Sequence, residues 1–207
     1  RMAVHIGDMG AIAGDMAYLM GASVFGTTRT LVINTMLDIC GSRFGRGLID
    51  VGGVNFDIMP ELSDKIKSML NDVIKIVDRT AKVMLKMPSC ISRMEKTGVV
   101  SSETAQQLGA VGMAARSSGV NIDSRFDFKD KWYQKLPWEK EIKEKGDVYS
   151  RFNLRYKEVK QSARFIDDLL EELKENEDGI KVPFNKNLIP NSFAISITEG
   201  WRVEVVI

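Results

Sequence analysis

Asp15 and the pair Glu199 and Arg202 are the side chains of this sequence best suited by type and position to do chemistry. Asp15 lies in a segment of mostly apolar and small residues. A carboxylate there either is buried, where it handles protons or pairs with an arginine, or lies on the exposed edge of a helix. Glu199 and Arg202 lie on either side of Gly200, at a break in an alternating apolar pattern. They either face a cleft or belong to an exposed turn, and spacing alone does not decide between the two.

Arg43 and Arg46 share a glycine-rich loop. Such a loop can present cations to a carboxylate or a phosphate, or its arginines can cap helix ends. His5 is the single histidine, and Cys40 and Cys90 are the two cysteines, which excludes a multi-histidine metal site, a disulfide framework and a four-thiolate site. We expect these three residues to serve packing or hydrogen bonding. Neither the GxGxxG nor the GK[S/T] phosphate-binding motif is present.

Composition narrows the class of protein before any element is assigned. The 207 residues are 44% hydrophobic and 28% charged, which is typical of a globular protein and excludes wholesale disorder. A net charge of +1 gives no electrostatic signal for nucleic acid or for an anionic membrane surface. No apolar run approaches the ~20 residues that a membrane-spanning helix needs, so we predict no direct membrane span.

The elements that must position these residues begin with a weakly charged N-terminal part. Residues 1–58 hold nine of the 57 Lys, Arg, Asp and Glu side chains but ten of the 17 glycines, as expected for an interior segment. Apolar residues at helical spacing predict a helix over 2–25, with small residues that allow close packing. Thr27 and Thr28 predict the cap of a second helix over about 29–41.

The rest of the chain carries two long amphipathic helices and a short β element. Stripes with a period of 3.6 residues predict helices over 61–87 and 147–175, packed on the first helix. Ser101 predicts the start of a short helix, and residues 109–145 look irregular. Alternation after residue 192 predicts a β-hairpin or two strands. The fold class is therefore mainly α (α+β), a helical bundle with a small C-terminal β element. We expect a single domain over 1–207, made of a buried glycine-rich helical core (1–58), long helices with an irregular aromatic loop (59–178), and a loop with the β element (179–207).

Several segments, taken in order and spacing, resemble one family. They are His5-Ile6-Gly7-Asp8-Met9-Gly10 through Asp15, Gly41-Ser42-Arg43-Phe44-Gly45-Arg46 with Gly52-Gly53-Val54, Thr97-Gly98-Val99, Gly112-Met113-Ala114-Ala115-Arg116-Ser117-Ser118-Gly119-Val120 with Asp123 and Arg125, Gly146-Asp147-Val148-Tyr149-Ser150-Arg151, and Glu199-Gly200-Trp201-Arg202-Val203-Glu204. The set resembles the family shared by two large subunits. One is the quinone-site subunit of NADH:quinone oxidoreductase (complex I), and the other is the large subunit of membrane-bound nickel–iron hydrogenases of the formate hydrogenlyase type.

The resemblance implies roles for individual residues. Asp15 matches the family aspartate that pairs with a quinone-site histidine, and Arg202 matches the arginine that overhangs the metal site in hydrogenases. We therefore expect Asp15 to be buried and functional, and assign Asp15, Arg202 and Glu199 to catalysis. The residues assigned to cofactor binding are Arg43, Arg46 and Arg116.

The resemblance also implies the setting of the chain. It would be the central part of a catalytic large subunit in the peripheral arm of a membrane complex, on the cytoplasmic side, beside an iron–sulfur small subunit and further subunits. We expect no cofactor or metal held by this segment, and a quinone or nickel–iron centre in the full subunit. The alternative is a non-catalytic paralogue that keeps the fold for assembly. Departures from the family pattern, such as Val203 in place of glycine, are consistent with this alternative.

Overall fold

The computed structural model describes residues 1–128, 133–134, 139–174, 179–183, 190–200 and 204–207. Helices dominate these ranges, and the strands form two short antiparallel pairs. The helices are α1 (Met2–Asp15), α2 (Leu19–Cys40), α3 (Pro60–Met84), α4 (Pro88–Met94), α5 (Ser102–Gln107), α6 (Gly112–Ser117), α7 (Ser124–Asp127) and α8 (Val148–Lys174). The strands are β1 (Ile49–Asp50), β2 (Gly53–Val54), β3 (Ile197–Glu199) and β4 (Glu204–Val206). The mainly α class with a small C-terminal β element is confirmed.

The four long helices close into a bundle. Helix α1 packs on α2 and α8, and α3 packs on the same two helices. A glycine in α1 allows a close approach, because a Cβ at Gly10 would lie 3.2 Å from the Cβ of Phe25 in α2. We call the apolar interior of this bundle the apolar seam; its fully buried members include Ile6, Met9, Ala13, Phe25, Val73, Val77, Ala81, Met84, Phe152 and Val159.

The predicted helix over 2–25 is wrong, because the chain turns sharply after α1. Ala17 adopts a left-handed conformation with φ of 59°. Its N–H donates to the carbonyl of Gly14 at 2.9 Å, and the N–H of Tyr18 donates to the carbonyl of Ala13 at 2.8 Å. This pair of bonds is a Schellman motif, which usually places glycine where Ala17 stands. The predicted cap by Thr27 and Thr28 is also wrong, since both lie inside α2 and donate to carbonyls one turn earlier.

The two long amphipathic helices lie where the stripes predict them. Helix α3 begins at Pro60 and ends at Met84, three residues before the predicted boundary. Helix α8 spans Val148–Lys174. Its start is held by Asp147, whose Oδ1 accepts the N–H of Ser150 at 2.8 Å and whose Oδ2 accepts the N–H of Lys96 at 3.0 Å. The predicted cap of α5 is confirmed, because Ser101 Oγ accepts the N–H of Thr104.

The prediction of an irregular segment over 109–145 is wrong in part, because this segment contains α6 and α7, which carry part of the site. Gly146 fixes α6 against the start of α8. Its N–H donates to the carbonyl of Ser117 at 2.8 Å, and its own carbonyl accepts the N–H of Val100 at 3.0 Å. A Cβ at Gly146 would lie 1.9 Å from the carbonyl oxygen of Val100, so only glycine fits this close approach.

The C-terminal hairpin of β3 and β4 is confirmed, with Glu199 opposite Glu204 in its register. It packs on α7 and lies almost wholly at the surface. Of residues 190–200 and 204–207, Glu199 alone is buried. In the part of the chain that the structure describes, no helix combines the length and apolar character that a membrane crossing requires.

Candidate functional site

A cluster of buried charges lies between α1, α6, α7, α8 and β3. We call it the ion cluster. The side chains of its members are between 0% and 14% exposed, and only Arg1 exceeds 4%. Its members are Arg1, His5, Arg116, Asp123, Arg125, Glu158 and Glu199.

Glu158, from the middle of α8, is the centre of the ion cluster. Its Oε1 accepts Nη2 of Arg116 at 2.7 Å and Nη2 of Arg125 at 3.1 Å. Its Oε2 accepts Nε2 of His5 at 2.8 Å and Nη1 of Arg1 at 3.2 Å. Burial by itself raises the pKa of Glu158, but the hydrogen bond from His5 and the charges of Arg125 and Arg116 outweigh burial and hold that pKa far below its ordinary value. Glu158 is therefore a fully paired carboxylate.

Glu199 attaches strand β3 to the same cluster. Its Oε1 accepts Nη1 of Arg116 at 2.6 Å, and its Oε2 accepts Oγ of Ser124 at 2.9 Å. The main chain is held as well, because Nη2 of Arg1 donates to the carbonyls of Glu199 and Gly200, each at 3.1 Å. Four acceptors on two successive residues thus bind donors from α6, α7 and the start of the chain.

Asp123 and Arg125 form a bidentate pair at the start of α7. Oδ1 of Asp123 accepts Nε of Arg125 at 2.8 Å, and Oδ2 accepts Nη2 at 2.6 Å. Burial lowers the pKa of Arg125, but the bond to Asp123 and the charge of Glu158 outweigh it and raise that pKa above its ordinary value. The ion cluster therefore contains three charged arginines and three carboxylates. Its formal charge is zero when His5 is neutral.

His5 is held in its neutral form by this balance. Burial is the largest cause and lowers its pKa below the ordinary value of 6.5, although the bond to Glu158 acts in the opposite direction. Because Glu158 is ionised, Nε2 carries the proton that His5 donates. Nδ1 is buried and has no hydrogen-bond partner among the residues that the structure describes. The expectation of a hydrogen-bonded structural histidine is thus confirmed.

Two of the predicted site residues meet in the ion cluster, and three others do not. Arg116 and Glu199 bind each other directly. Arg43 and Arg46 are exposed in the loop after α2 and are not members of the cluster. Asp15 is exposed at the end of α1, so the expectation of burial is wrong. The reason is geometric, since Asp15 follows buried Ala13 by two positions and a helix rotates about 200° over that step.

Arg202, the remaining predicted site residue, lies outside the described residues. The residue before its segment, Gly200, is described and partly buried.

Sequence reasoning missed the centre of the cluster, although α8 carries a signal for it. Its apolar stripe faces the seam, but a second buried row of Ser150, Leu154, Glu158 and Ser162 recurs every four residues. Residues at i and i+4 share one face of a helix. A charged residue within a row of small and apolar residues indicates a buried charge with a partner, and Glu158 fits that description.

A second feature is a groove of about 620 Å³ between α2 and α3. Tyr18 is one of its lining residues, and its apolar walls include Met20, Val24, Leu31, Ile76 and Val83. Cys40 and Cys90 are buried and unpaired by disulfide. Within the described ranges, no three His, Cys, Asp or Glu side chains are grouped so as to hold a metal ion.

Comparison with known proteins points to one family. The sequence model described as "Respiratory-chain NADH dehydrogenase, 49 Kd subunit" matches residues 13–199. The chain is 29% identical over 183 residues to a subunit of NADH-quinone oxidoreductase from Clostridium beijerinckii, covering 88% of this chain and 50% of that protein. It is 28% identical over 174 residues to a subunit of NADH-quinone oxidoreductase from Thermus thermophilus, covering 84% and 42%. The chain thus spans about half the length of these relatives.

A solved structure shares the fold over the whole chain. It is described as the membrane-bound sulfane sulfur reductase, an archaeal respiratory membrane complex. The superposition has a TM-score of 0.89 at 20% identity and covers 100% of this chain and 57% of the other. At that identity the likeness establishes the arrangement of the helices and the hairpin.

Proposed function

Since the chain belongs to the family of the 49 kDa subunit of respiratory-chain NADH dehydrogenase, we propose that it is part of the large subunit of a membrane-associated respiratory oxidoreductase. In this role it helps to form a quinone or nickel–iron site beside an iron–sulfur subunit, in a peripheral arm on the cytoplasmic side. The observation that carries the proposal is the extent of the family match, which runs from residue 13 to residue 199 and includes both Asp15 and Glu199.

The groove between α2 and α3 favours a quinone as the electron acceptor. A quinone needs an apolar slot for its ring and tail, with a few polar groups at the carbonyl end. The groove supplies apolar walls, and one of its lining residues, Tyr18, follows Asp15 by three positions in the sequence. The described residues offer no grouped donor set for nickel or iron, so we derive no step through a metal centre.

Reduction of a quinone to a quinol takes up two electrons and two protons. In the proposed site the electrons come from the iron–sulfur subunit, and Asp15 is proposed as a proton-handling group. Asp15 is exposed, unlike Glu158, whose four donors keep it ionised. Arg202 is proposed to stabilise the developing negative charge, because a guanidinium stabilises an oxyanion by paired hydrogen bonds.

The test uses Asp15→Asn and Arg202→Lys in the intact complex, purified with its partner subunits. We expect assembly to survive and quinone reduction to fall by roughly tenfold or more in each variant, as for the loss of a positioned proton-transfer or charge-stabilising group. Asp168→Asn is the matched control for Asp15, because Asp168 is also an exposed carboxylate, on α8. Normal turnover in both site variants would overturn the catalytic proposal and support the non-catalytic assembly role.

The electron acceptor is tested separately on the unmodified complex. We expect reduction of a short-chain ubiquinone or menaquinone analogue without hydrogen evolution from a reduced viologen dye. Hydrogen evolution with no quinone reduction would reverse the choice in favour of the nickel–iron branch of the family.

A further inference from the structure

We propose that Arg116 and Glu199 are positioning residues, which fix the end of strand β3, three residues before Arg202 in the sequence, on the helical bundle. This inference rests on the proposed function, because it assigns Arg202 to the site. It replaces the catalytic role expected for Glu199 and the cofactor-binding role expected for Arg116. Both carboxylate oxygens of Glu199 already accept protein donors, so direct contact with a substrate would break those bonds.

The hairpin has one buried attachment. Among residues 190–200 and 204–207, every side chain except that of Glu199 is exposed or partly exposed. Phe193 and Ile195, which lead into β3, are 89% and 68% exposed. Two-stranded hairpins are marginally stable by themselves. The orientation of this hairpin on the bundle therefore depends on the bonds that Glu199 makes.

Those bonds fix orientation as well as distance. The two carboxylate oxygens bind different helices, Oε1 to Arg116 of α6 and Oε2 to Ser124 of α7. Arg1, at the start of the chain, holds the carbonyls of Glu199 and Gly200. Anchors from three separate parts of the chain restrict both rotation and sliding of the strand end. Gly200 is separated from Arg202 by a single residue.

Arg116 connects Glu199 to the long helices of the bundle. Its Nη1 binds Glu199 while its Nη2 binds Glu158 of α8, which in turn accepts from His5 of α1. The planar guanidinium holds the two carboxylates in a fixed relation, which a lysine cannot do. A buried ion pair contributes little net stability, because desolvation offsets the Coulomb attraction. Its directional bonds instead account for the placement of β3 relative to α1 and α8.

Glu199→Asp in the intact complex is the central variant. It keeps the charge but shortens the side chain by one methylene, so that it no longer reaches Arg116 and Ser124 together. We expect kcat for quinone reduction to fall by about tenfold with KM within about twofold, since a small misplacement lowers turnover steeply. We also expect faster hydrogen exchange of residues 193–199 and 204–207, with no change in the bundle helices.

Two further variants keep the test decisive. Glu204→Asp is the matched control, because it shortens the residue opposite Glu199 in the same hairpin and lies outside the ion cluster. It should change neither turnover nor exchange. Ser124→Ala removes one bond to Glu199 while leaving all charges, and should give a smaller change in both readouts. Should Glu199→Asp fail to assemble, Ser124→Ala decides the question by itself.

The outcomes separate this inference from the proposed function. Slower turnover with unchanged hairpin exchange would overturn positioning, because Glu199 would then act directly. Faster exchange with normal turnover would also overturn it. Absence of quinone reduction in the unmodified complex would instead contradict the proposed function. Hydrogen exchange of β3 and β4 that does not change in Glu199→Asp would contradict, independently of turnover, the claim that Glu199 holds the hairpin on the bundle.

Discussion

The apolar seam and the ion cluster are both buried in the same bundle, and they contribute differently. In the seam, side chains such as Met9, Val77 and Phe152 are 0% exposed and meet through contacts that have no preferred direction. In the ion cluster, Glu158 is equally buried, yet it is held by directional hydrogen bonds from three arginines and from His5. The comparison shows that burial alone does not reveal what a region contributes.

Burial changes the folding free energy in opposite directions in the apolar seam and in the ion cluster. Each large apolar side chain of the seam contributes about 1.5–3 kcal/mol on burial. In the cluster, the desolvation of each charge costs several kcal/mol, and pairing with good geometry roughly offsets that cost. The seam therefore supplies stability, whereas the cluster supplies the position of β3. Removing one charge of an ion pair in the cluster should therefore lower the free energy of unfolding more than removing both partners of that pair.

The largest effect is expected from Glu158→Gln. This change leaves Arg1, Arg116 and Arg125 with two carboxylates among them in a buried space. We expect a loss of about 3–5 kcal/mol in the free energy of unfolding, which urea denaturation of the purified protein measures. A loss below about 1 kcal/mol would show that the cluster charges are not coupled as the geometry indicates.

Met9→Ala tests the seam and should have the next largest effect. It leaves a cavity between α1 and the other long helices, with an expected loss of about 2–5 kcal/mol in the free energy of unfolding. In contrast to variants of Glu199, it should leave hydrogen exchange in β3 and β4 unaltered relative to that of the bundle. Selective loosening of the hairpin by Met9→Ala would remove the distinction between the two regions.

A smaller effect concerns pH. The pKa of His5 is lowered in the folded protein, so below pH 6.5 the unfolded chain binds a proton that the folded chain does not. Stability from this residue is therefore full above pH 6.5 and falls as the pH drops towards the folded pKa, by at most about 1.4 kcal/mol per unit. Urea unfolding at pH 7.5, 6.5 and 5.5 measures the slope.

His5→Gln is the control for that slope, because an amide N–H can still donate towards Glu158 but does not titrate. We expect a shallower dependence between pH 6.5 and 5.5 in this variant. Arg1, Arg155 and Glu158 are the charged groups that act on His5, and the pKa of Glu158 is held far below its ordinary value. An unchanged slope would assign the acid sensitivity to other groups.

The long helices were predictable from sequence because periodicity alone defines them. The stripes of α3 and α8 reflect burial on one face, and Pro60 marks a start that the structure retains. The break between α1 and α2 was not predictable, since Ala17 stands where a left-handed turn normally has glycine. Propensity favours continuing a helix through alanine, and tertiary packing of α2 on α1 overrides it.

The site was predictable only in part, for a related reason. Arg116 and Glu199 were found through their motifs, but their partnership joins residues 83 positions apart, which no local pattern encodes. Asp15 was expected to be buried because it matches a family aspartate of the quinone site, whereas helix rotation places it on the exposed side. Glu158 was passed over because a charged residue on an amphipathic helix is usually solvated.

A double-mutant cycle on Arg116 and Glu199 tests the central claim most directly. Arg116→Met and Glu199→Gln each unbalance the cluster, whereas the double variant restores two arginines against two carboxylates. We predict that urea unfolding gives each single variant a loss of about 3–5 kcal/mol and the double variant no greater loss than either, a coupling of about 3 kcal/mol or more. Losses that add to within about 0.5 kcal/mol would contradict the claim that charge balance and position, rather than net stability, explain these buried residues.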